Sequence, residues 1–256
     1  MTSVIEDGVN KKPSQPLTPR NKLGWVSPAY TQSGELQLDE QVLQRNRCIG
    51  MRESGSDIEA YEILRAQILK RSGAEQGATI MITSALPGEG KTLTAVNLAF
   101  SMAREFTQTV LLVDCDLKQQ QIQQVLGITD GRGLGDYFME NIDFSELVRW
   151  PGVEKLTLVT GGRTLQGGSE IFSSRGMREL VQDMKTRYPG RYVFFDAPPV
   201  LGGAEALALA ELVDHIVVTV KAATTARESI HKALELLPKE KVLGFVYNAA
   251  KAPENR

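Results

Sequence analysis

The sequence predicts an α/β fold, a mostly parallel sheet with helices on both faces, and three observations carry that expectation. Apolar runs at 78–83, 109–113, 155–160, 192–196, 215–220 and 242–247 alternate with helical patterns near 92–104, 175–188, 203–212 and 224–236. These runs are continuously apolar rather than alternating, as strands buried on both faces are. The stretch Ala85-Leu86-Pro87-Gly88-Glu89-Gly90-Lys91-Thr92 sits between the first run and the first of these helices. That is the strand–loop–helix order of a phosphate-binding motif, with Ala at the usual first Gly.

Residues 1–35 are rich in Pro, Ser, Thr, Gln, Asn and Lys and show little apolar periodicity, so a largely disordered tail is expected there. Trp25, Val26 and Tyr30 are a small apolar exception that suits docking. Leu38, Val42 and Leu43 could line a short helix ending near Arg47, the last feature of an N-terminal segment spanning 1–56. Asp57 reads as the N-cap of a helix over 58–71, whose Ile58, Tyr61, Leu64, Ile68 and Leu69 form one stripe. A domain over 57–250 follows, then a short tail, 251–256, without tyrosines.

Composition narrows the function classes. A formal net charge of −2 argues against a dedicated nucleic-acid binder. No apolar run approaches the roughly 20 residues that span a bilayer, and the first residues lack the charged and apolar regions of a signal peptide. Cys48 and Cys115 are too few and too far apart for a disulfide framework or a zinc site. A cytoplasmic protein is the expectation.

The chemistry is expected at the carboxyl ends of the strands. Gly88 and Gly90 lack side chains, so backbone N–H groups can curl round a phosphate at the start of the next helix. Lys91 would neutralise the β- and γ-phosphates, and the Thr92 hydroxyl would ligate Mg²⁺. Two strands end in carboxylates: Val110-Leu111-Leu112-Val113-Asp114-Cys115-Asp116 and Tyr192-Val193-Phe194-Phe195-Asp196-Ala197-Pro198-Pro199. A carboxylate there is costly unless it is paired, solvated or near a cation. Together they point to Mg²⁺ and activation of water or a hydroxyl.

The phosphate loop, Val-Leu-Leu-Val-Asp-Cys-Asp-Leu-Lys (110–118) and Phe-Phe-Asp-Ala-Pro-Pro (194–199) resemble the bacterial tyrosine kinases, the polysaccharide-associated autokinases built on a P-loop NTPase fold of the ParA/MinD-like group. Gly133-Leu134-Gly135-Asp136-Tyr137, Ser169-Glu170-Ile171-Phe172-Ser173-Ser174 and the closing run to Asn248 extend the resemblance over about 57–250. Ser27–Gln32 and Leu38-Asp39-Glu40 are similar to the branch associated with exopolysaccharide and exosortase loci. The resemblance implies ATP and Mg²⁺ as cofactors, with Pro87, Gly88, Glu89, Gly90, Lys91, Thr92, Leu93 and Asn248 binding nucleotide. It implies Thr92, Asp114 and Asp196 at the metal, and Lys91, Asp114 and Asp116 in catalysis. Its implied partners are the cytoplasmic segment of a separate membrane polysaccharide chain-length or export protein, which would hold the chain at the inner membrane, and a homo-oligomer. No nucleic acid is expected.

Three departures qualify this. The family's closing tyrosine cluster is absent after Asn248, leaving Tyr30, Tyr61, Tyr137 or Tyr188 as acceptors. Glu59-x-x-Glu62-x-x-Arg65 stands where the family often has Glu-x-x-Arg-x-x-Arg, a helix that helps close a ring. The basic run after Asp116 is reduced to Lys118. Two alternatives follow: partition and division-site ATPases, which carry a second Lys where Leu86 stands here, and a nucleotide-dependent switch that transfers no phosphate.

Overall fold

In a computed structural model, residues 33–48, 55–73, 77–129, 131–140, 142–165, 168–188 and 190–250 are described. The expectations for 1–32, including Trp25, Val26 and Tyr30, and for 251–256 lie outside them. The chain runs β1 (Gly34–Glu35), α1 (Glu40–Arg45), α2 (Ser56–Ser72), β2 (Thr79–Ser84), α3 (Lys91–Met102), β3 (Thr109–Asp114) and α4 (Gln121–Leu126). It continues through α5 (Leu134–Met139), α6 (Phe144–Leu147), β4 (Arg149–Trp150), β5 (Leu156–Val159), α7 (Ser169–Ser173) and α8 (Arg175–Thr186). The last elements are β6 (Arg191–Asp196), α9 (Ala204–Leu212), β7 (His215–Lys221), α10 (Arg227–Leu236) and β8 (Val242–Asn248).

The strands form one sheet in the order β1-β4-β5-β3-β6-β2-β7-β8. All neighbours are parallel except β4 and β5. Side chains alternate between two cores. Met81, Val113, Phe195 and Val218 face the layer containing Phe172 of α7, Leu180 of α8 and Leu209 of α9. Ile80, Ile82, Leu112 and Phe194 face Ile68 of α2, Leu98 of α3 and Leu126 of α4. Both faces of the strands are therefore apolar, which is why they read as unbroken runs.

Several expectations change. Gly55, not Asp57, caps α2; Asp57 sits in the first turn, where its negative charge is favourable at the positive end of the helix dipole. The stripe expected on α2 holds, with Ile58 and Ile68 buried. Residues 33–48, expected as part of the N-terminal tail, are instead packed on the domain: β1 pairs with β4, and Leu43 and Cys48 join the core under α3 and α4. Among these, only α1 was legible, and Asp39 caps it by accepting from Gln41 N. Among the described residues, the stretch 121–173 holds four short helices and β4 that its weak periodicity did not reveal.

Candidate functional site

Register builds the site. Asp114 pairs with Asp196 across β3 and β6, and Ile82 of β2 pairs with Asp196 on the other side. Three adjacent parallel strands thus end together, with the loop after β2 beside the carboxylates that end β3 and β6. A one-residue slip of β6 would turn Asp196 to the opposite face.

The loop is shaped for an anion. Gly88 and Gly90 adopt φ of 77° and 92°, the left-handed region that glycine tolerates. A Cβ on Gly90 would lie 1.8 Å from Asn248 Nδ2. Gly90 opens the 12-residue α3 with no side-chain cap, so the first N–H groups of this helix face the loop. Glu89 is a clasp. Its buried carboxylate accepts from Leu86 N at 2.8 Å and from the Thr225 hydroxyl, and its carbonyl accepts from Asn248 Nδ2 at 3.0 Å. One residue thereby ties the loop to the β7–α10 turn and to the end of β8.

Lys91, 4% exposed, places its ammonium 2.8 Å from Asp116 Oδ2 and 3.8 Å from Asp196 Oδ1. Burial alone would lower its pKa. The charges of Asp196, Asp116 and Asp114 outweigh burial and raise it, so Lys91 is a cation at neutral pH. The Thr92 hydroxyl donates to Asp196 Oδ2 at 2.7 Å and lies 3.2 Å from Gln121 Oε1. Burial pushes Asp196 up to about 6, against the opposing pull of Lys91 and Thr92. Its other oxygen, Oδ1, is buried without a hydrogen-bond partner. Asp114 is fully buried and held well above the usual carboxylate range by desolvation and by Asp196. Its two oxygens accept backbone N–H groups from Asp116 at 3.0 Å and Ile122 at 3.2 Å.

The structure brings together Lys91, Thr92, Asp114, Asp116 and Asp196, and sets Asn248 against the loop. Leu93 lines a cavity of about 530 Å³ together with Asn97, Asn248 and Tyr61. Asn248 already donates to Glu89 O and accepts from Ala249 N, leaving one N–H and one lone pair for a ligand. Gln121, Thr225 and Glu205 were not foreseen. Gln121 reaches Thr92 from the start of α4, and Glu205 forms a 2.5 Å ion pair with Lys118. None sits in a motif; each acts through a contact distant in sequence. On α2, Glu62 faces Arg104 at 3.7 Å, while Arg65 pairs with Glu105 at 2.7 Å and donates to Ser101 O.

The family profile described as AAA domain matches residues 77–241. Tyrosine-protein kinase YwqD of Bacillus subtilis (strain 168) is 34% identical over 212 residues, 82% of this chain and 88% of that protein. The chain belongs to the bacterial tyrosine-protein kinase family. A putative tyrosine-protein kinase of the family, CapB of Staphylococcus aureus, is 24% identical over 77% of this chain and 86% of its own length. The VpsO kinase domain superposes with a TM-score of 0.67 at 27% identity, covering 82% of this chain and 97% of that one. The septum site-determining protein MinD of Pyrococcus horikoshii, at 22% identity and TM-score 0.54, covers 66% of this chain and 69% of its own and shares the fold. By family the chain is a protein-tyrosine kinase, and by fold a P-loop NTPase of the ParA/MinD-like group. Among the described residues no helix is long and apolar enough to cross a membrane.

Proposed function

We propose that this chain is a Mg²⁺- and ATP-dependent protein-tyrosine kinase of the autokinase type, acting on exopolysaccharide synthesis or export. The observation that carries this reading is the cluster at the ends of β2, β3 and β6. An ammonium, a hydroxyl and a buried carboxylate oxygen without a hydrogen-bond partner meet beside a glycine-shaped loop. Lys91 balances charge on the β- and γ-phosphates, loop N–H groups from Gly88 to Leu93 orient them, and Pro87 and Glu89 hold the loop open. Asn248 presents its remaining polar atoms to the base, which enters the cavity lined by Leu93 and Asn97.

The residues present fit Mg²⁺. Among the described residues no set of three His, Cys, Asp or Glu forms a self-contained metal cage. Mg²⁺ is ordinarily held by one or two carboxylates plus substrate phosphates and water. Thr92 and Asp196 would hold it, with Asp114 behind them, and it would supply charge neutralisation at the phosphates. Asp116, paired with Lys91, would be released as the phosphate takes up that charge and would then be the carboxylate that takes the acceptor's proton. Phosphoryl transfer depends mainly on such positioning and electrostatics. We place the domain at 57–250 with 33–48 docked on it, in the cytoplasm, recruited to the inner membrane by the cytoplasmic segment of a membrane polysaccharide protein.

One observation favours a second reading, an ATP-hydrolysing switch. Asp114 spends one acceptor site of each oxygen on a backbone N–H and Asp116 is paired with Lys91, so neither carboxylate is arranged to select a tyrosine hydroxyl over water. γ-Labelled ATP with Mg²⁺, given to wild type and Lys91→Met, separates the two. Phosphotyrosine in wild type alone supports the kinase. Free phosphate without phosphotyrosine, even with an added tyrosine peptide, sinks it and leaves the switch.

A further inference from the structure

The turn that follows α1 is tied down more firmly than a surface turn requires. Arg47 adopts φ of 59°, the left-handed region that side-chain-bearing residues rarely enter. Its N–H donates to Gln44 O at 3.1 Å, and its carbonyl accepts from Asn97 Nδ2 of α3 at 3.1 Å. Just before it, Asn46 Nδ2 donates to Gln124 O and Val125 O of α4. Just after it, Cys48 is buried in the core, with its N–H on Leu43 O. Backbone strain persists only where the surroundings over-determine it, and such residues collect at ligand sites. Arg47 is exposed and lines the cavity of about 530 Å³ shared with Leu93, Asn97 and Asn248. Among the described residues no carboxylate forms an ion pair with its guanidinium, although Asp57 lines the same cavity.

We propose that Arg47 is a nucleotide-binding residue that lays its guanidinium on the purine of ATP. The segment 33–48 thereby completes the nucleotide site of the domain on which it packs. The inference rests on the ATP-binding reading above and adds a contact from outside the residues assigned to it. Position decides which end of ATP Arg47 meets. The phosphates belong with Lys91 and the loop at the start of α3. Arg47 is anchored to Asn97, ~9 Å further along that helix at 1.5 Å per residue. Leu93 and Asn97, one turn apart, share the face of α3 that lines the cavity. A base resting there has Asn248 at its edge and Arg47 at the far side.

The residue type suits that place. A guanidinium is planar and weakly hydrated, so it stacks on aromatic faces in a way that an ammonium does not. A cation over such a face gains more as water leaves the contact. Because Asn46, Asn97 and Cys48 already fix the backbone at Arg47, little chain order is left to lose when ATP binds.

The test is calorimetric titration of the full chain, with Mg²⁺, by ATP and separately by inorganic tripolyphosphate. Arg47→Gln should weaken ATP by about 2- to 30-fold and leave tripolyphosphate unchanged. Arg47→Lys, which keeps the charge and loses the plane, should recover only part of the ATP affinity. Arg47→Gly removes the side chain and suits the left-handed φ. It should weaken ATP as Arg47→Gln does, while its midpoint in urea unfolding is no lower than that of wild type. ATP affinity unchanged in Arg47→Gln overturns the proposal and leaves the ATP reading standing. Equal losses for ATP and tripolyphosphate overturn the assignment to the base, because the cation then serves the phosphates. Weaker ATP binding by Arg47→Gly together with a lower urea midpoint overturns it in favour of a structural role. Wild type that binds neither ligand overturns the ATP reading and this inference with it.

Discussion

Asp196→Asn isolates the cost of holding a charge in this site. Asp196 is fully buried, keeps one oxygen without a hydrogen-bond partner, and has its pKa raised from 3.8 to about 6. A carboxyl with a raised folded pKa binds its proton more tightly folded than unfolded. Its stabilising effect is therefore complete below pH 3.8 and is lost as pH rises through about 6. At about 1.4 kcal/mol per pH unit, the loss is roughly 3 kcal/mol by pH 8. Asparagine keeps the shape and an acceptor for Thr92 but cannot ionise. It adds a pH-independent cost of about 1–3 kcal/mol for an amide N–H without an acceptor. The prediction therefore concerns the slope. In urea unfolding without nucleotide, the stability of Asp196→Asn minus that of wild type should rise by roughly 3 kcal/mol between pH 4 and pH 8. Mg²⁺ should enhance ATP binding in wild type and not in the variant. A stability difference that is flat across this range, or that falls with pH, would refute the argument that Asp196 is charged at a cost to folding.

Other outcomes follow from the same geometry. Glu89→Ala removes the acceptor of Leu86 N–H and the Thr225 hydroxyl. It should cost about 1–3 kcal/mol in urea unfolding and weaken ATP binding, read by calorimetric titration. Gly90→Ala places a Cβ against Asn248 at a φ of 92°. It should abolish ATP binding while leaving far-ultraviolet circular dichroism unchanged. Burial pushes the Cys48 thiol up to about 11 and Cys115 well above its usual range. Both thiols are thus protonated at pH 8, and iodoacetamide should alkylate them in urea but not in the native protein.

Features that act over short spans were legible in the amino-acid order. Loop, helix start and strand-ending carboxylates are local: glycine at 88 and 90, Lys91 and Thr92 on the first turn of α3, and Asp114 and Asp196 closing apolar runs. The parallel sheet was legible for the same reason, since strands buried on both faces carry no polar alternation. Tertiary structure decided what those residues touch. Strand order and register set β3, β6 and β2 side by side, and so brought Asp196 to Thr92 and Asp116 to Lys91. The same long-range packing recruited Thr225 and Gln121, and it occupied both oxygens of Asp114 with backbone N–H groups. It also drew residues 33–48 into the core, where Leu43 and Cys48 find apolar neighbours that no nearby residue could have announced. Tyrosine exposure belongs to this second class. Tyr192 and Tyr247 stand alike in the sequence, each on an apolar strand, yet one is buried in the central β6 and the other faces water from the edge strand β8. Position in a sheet is fixed by partners distant in the chain, and only the folded sheet contains that information.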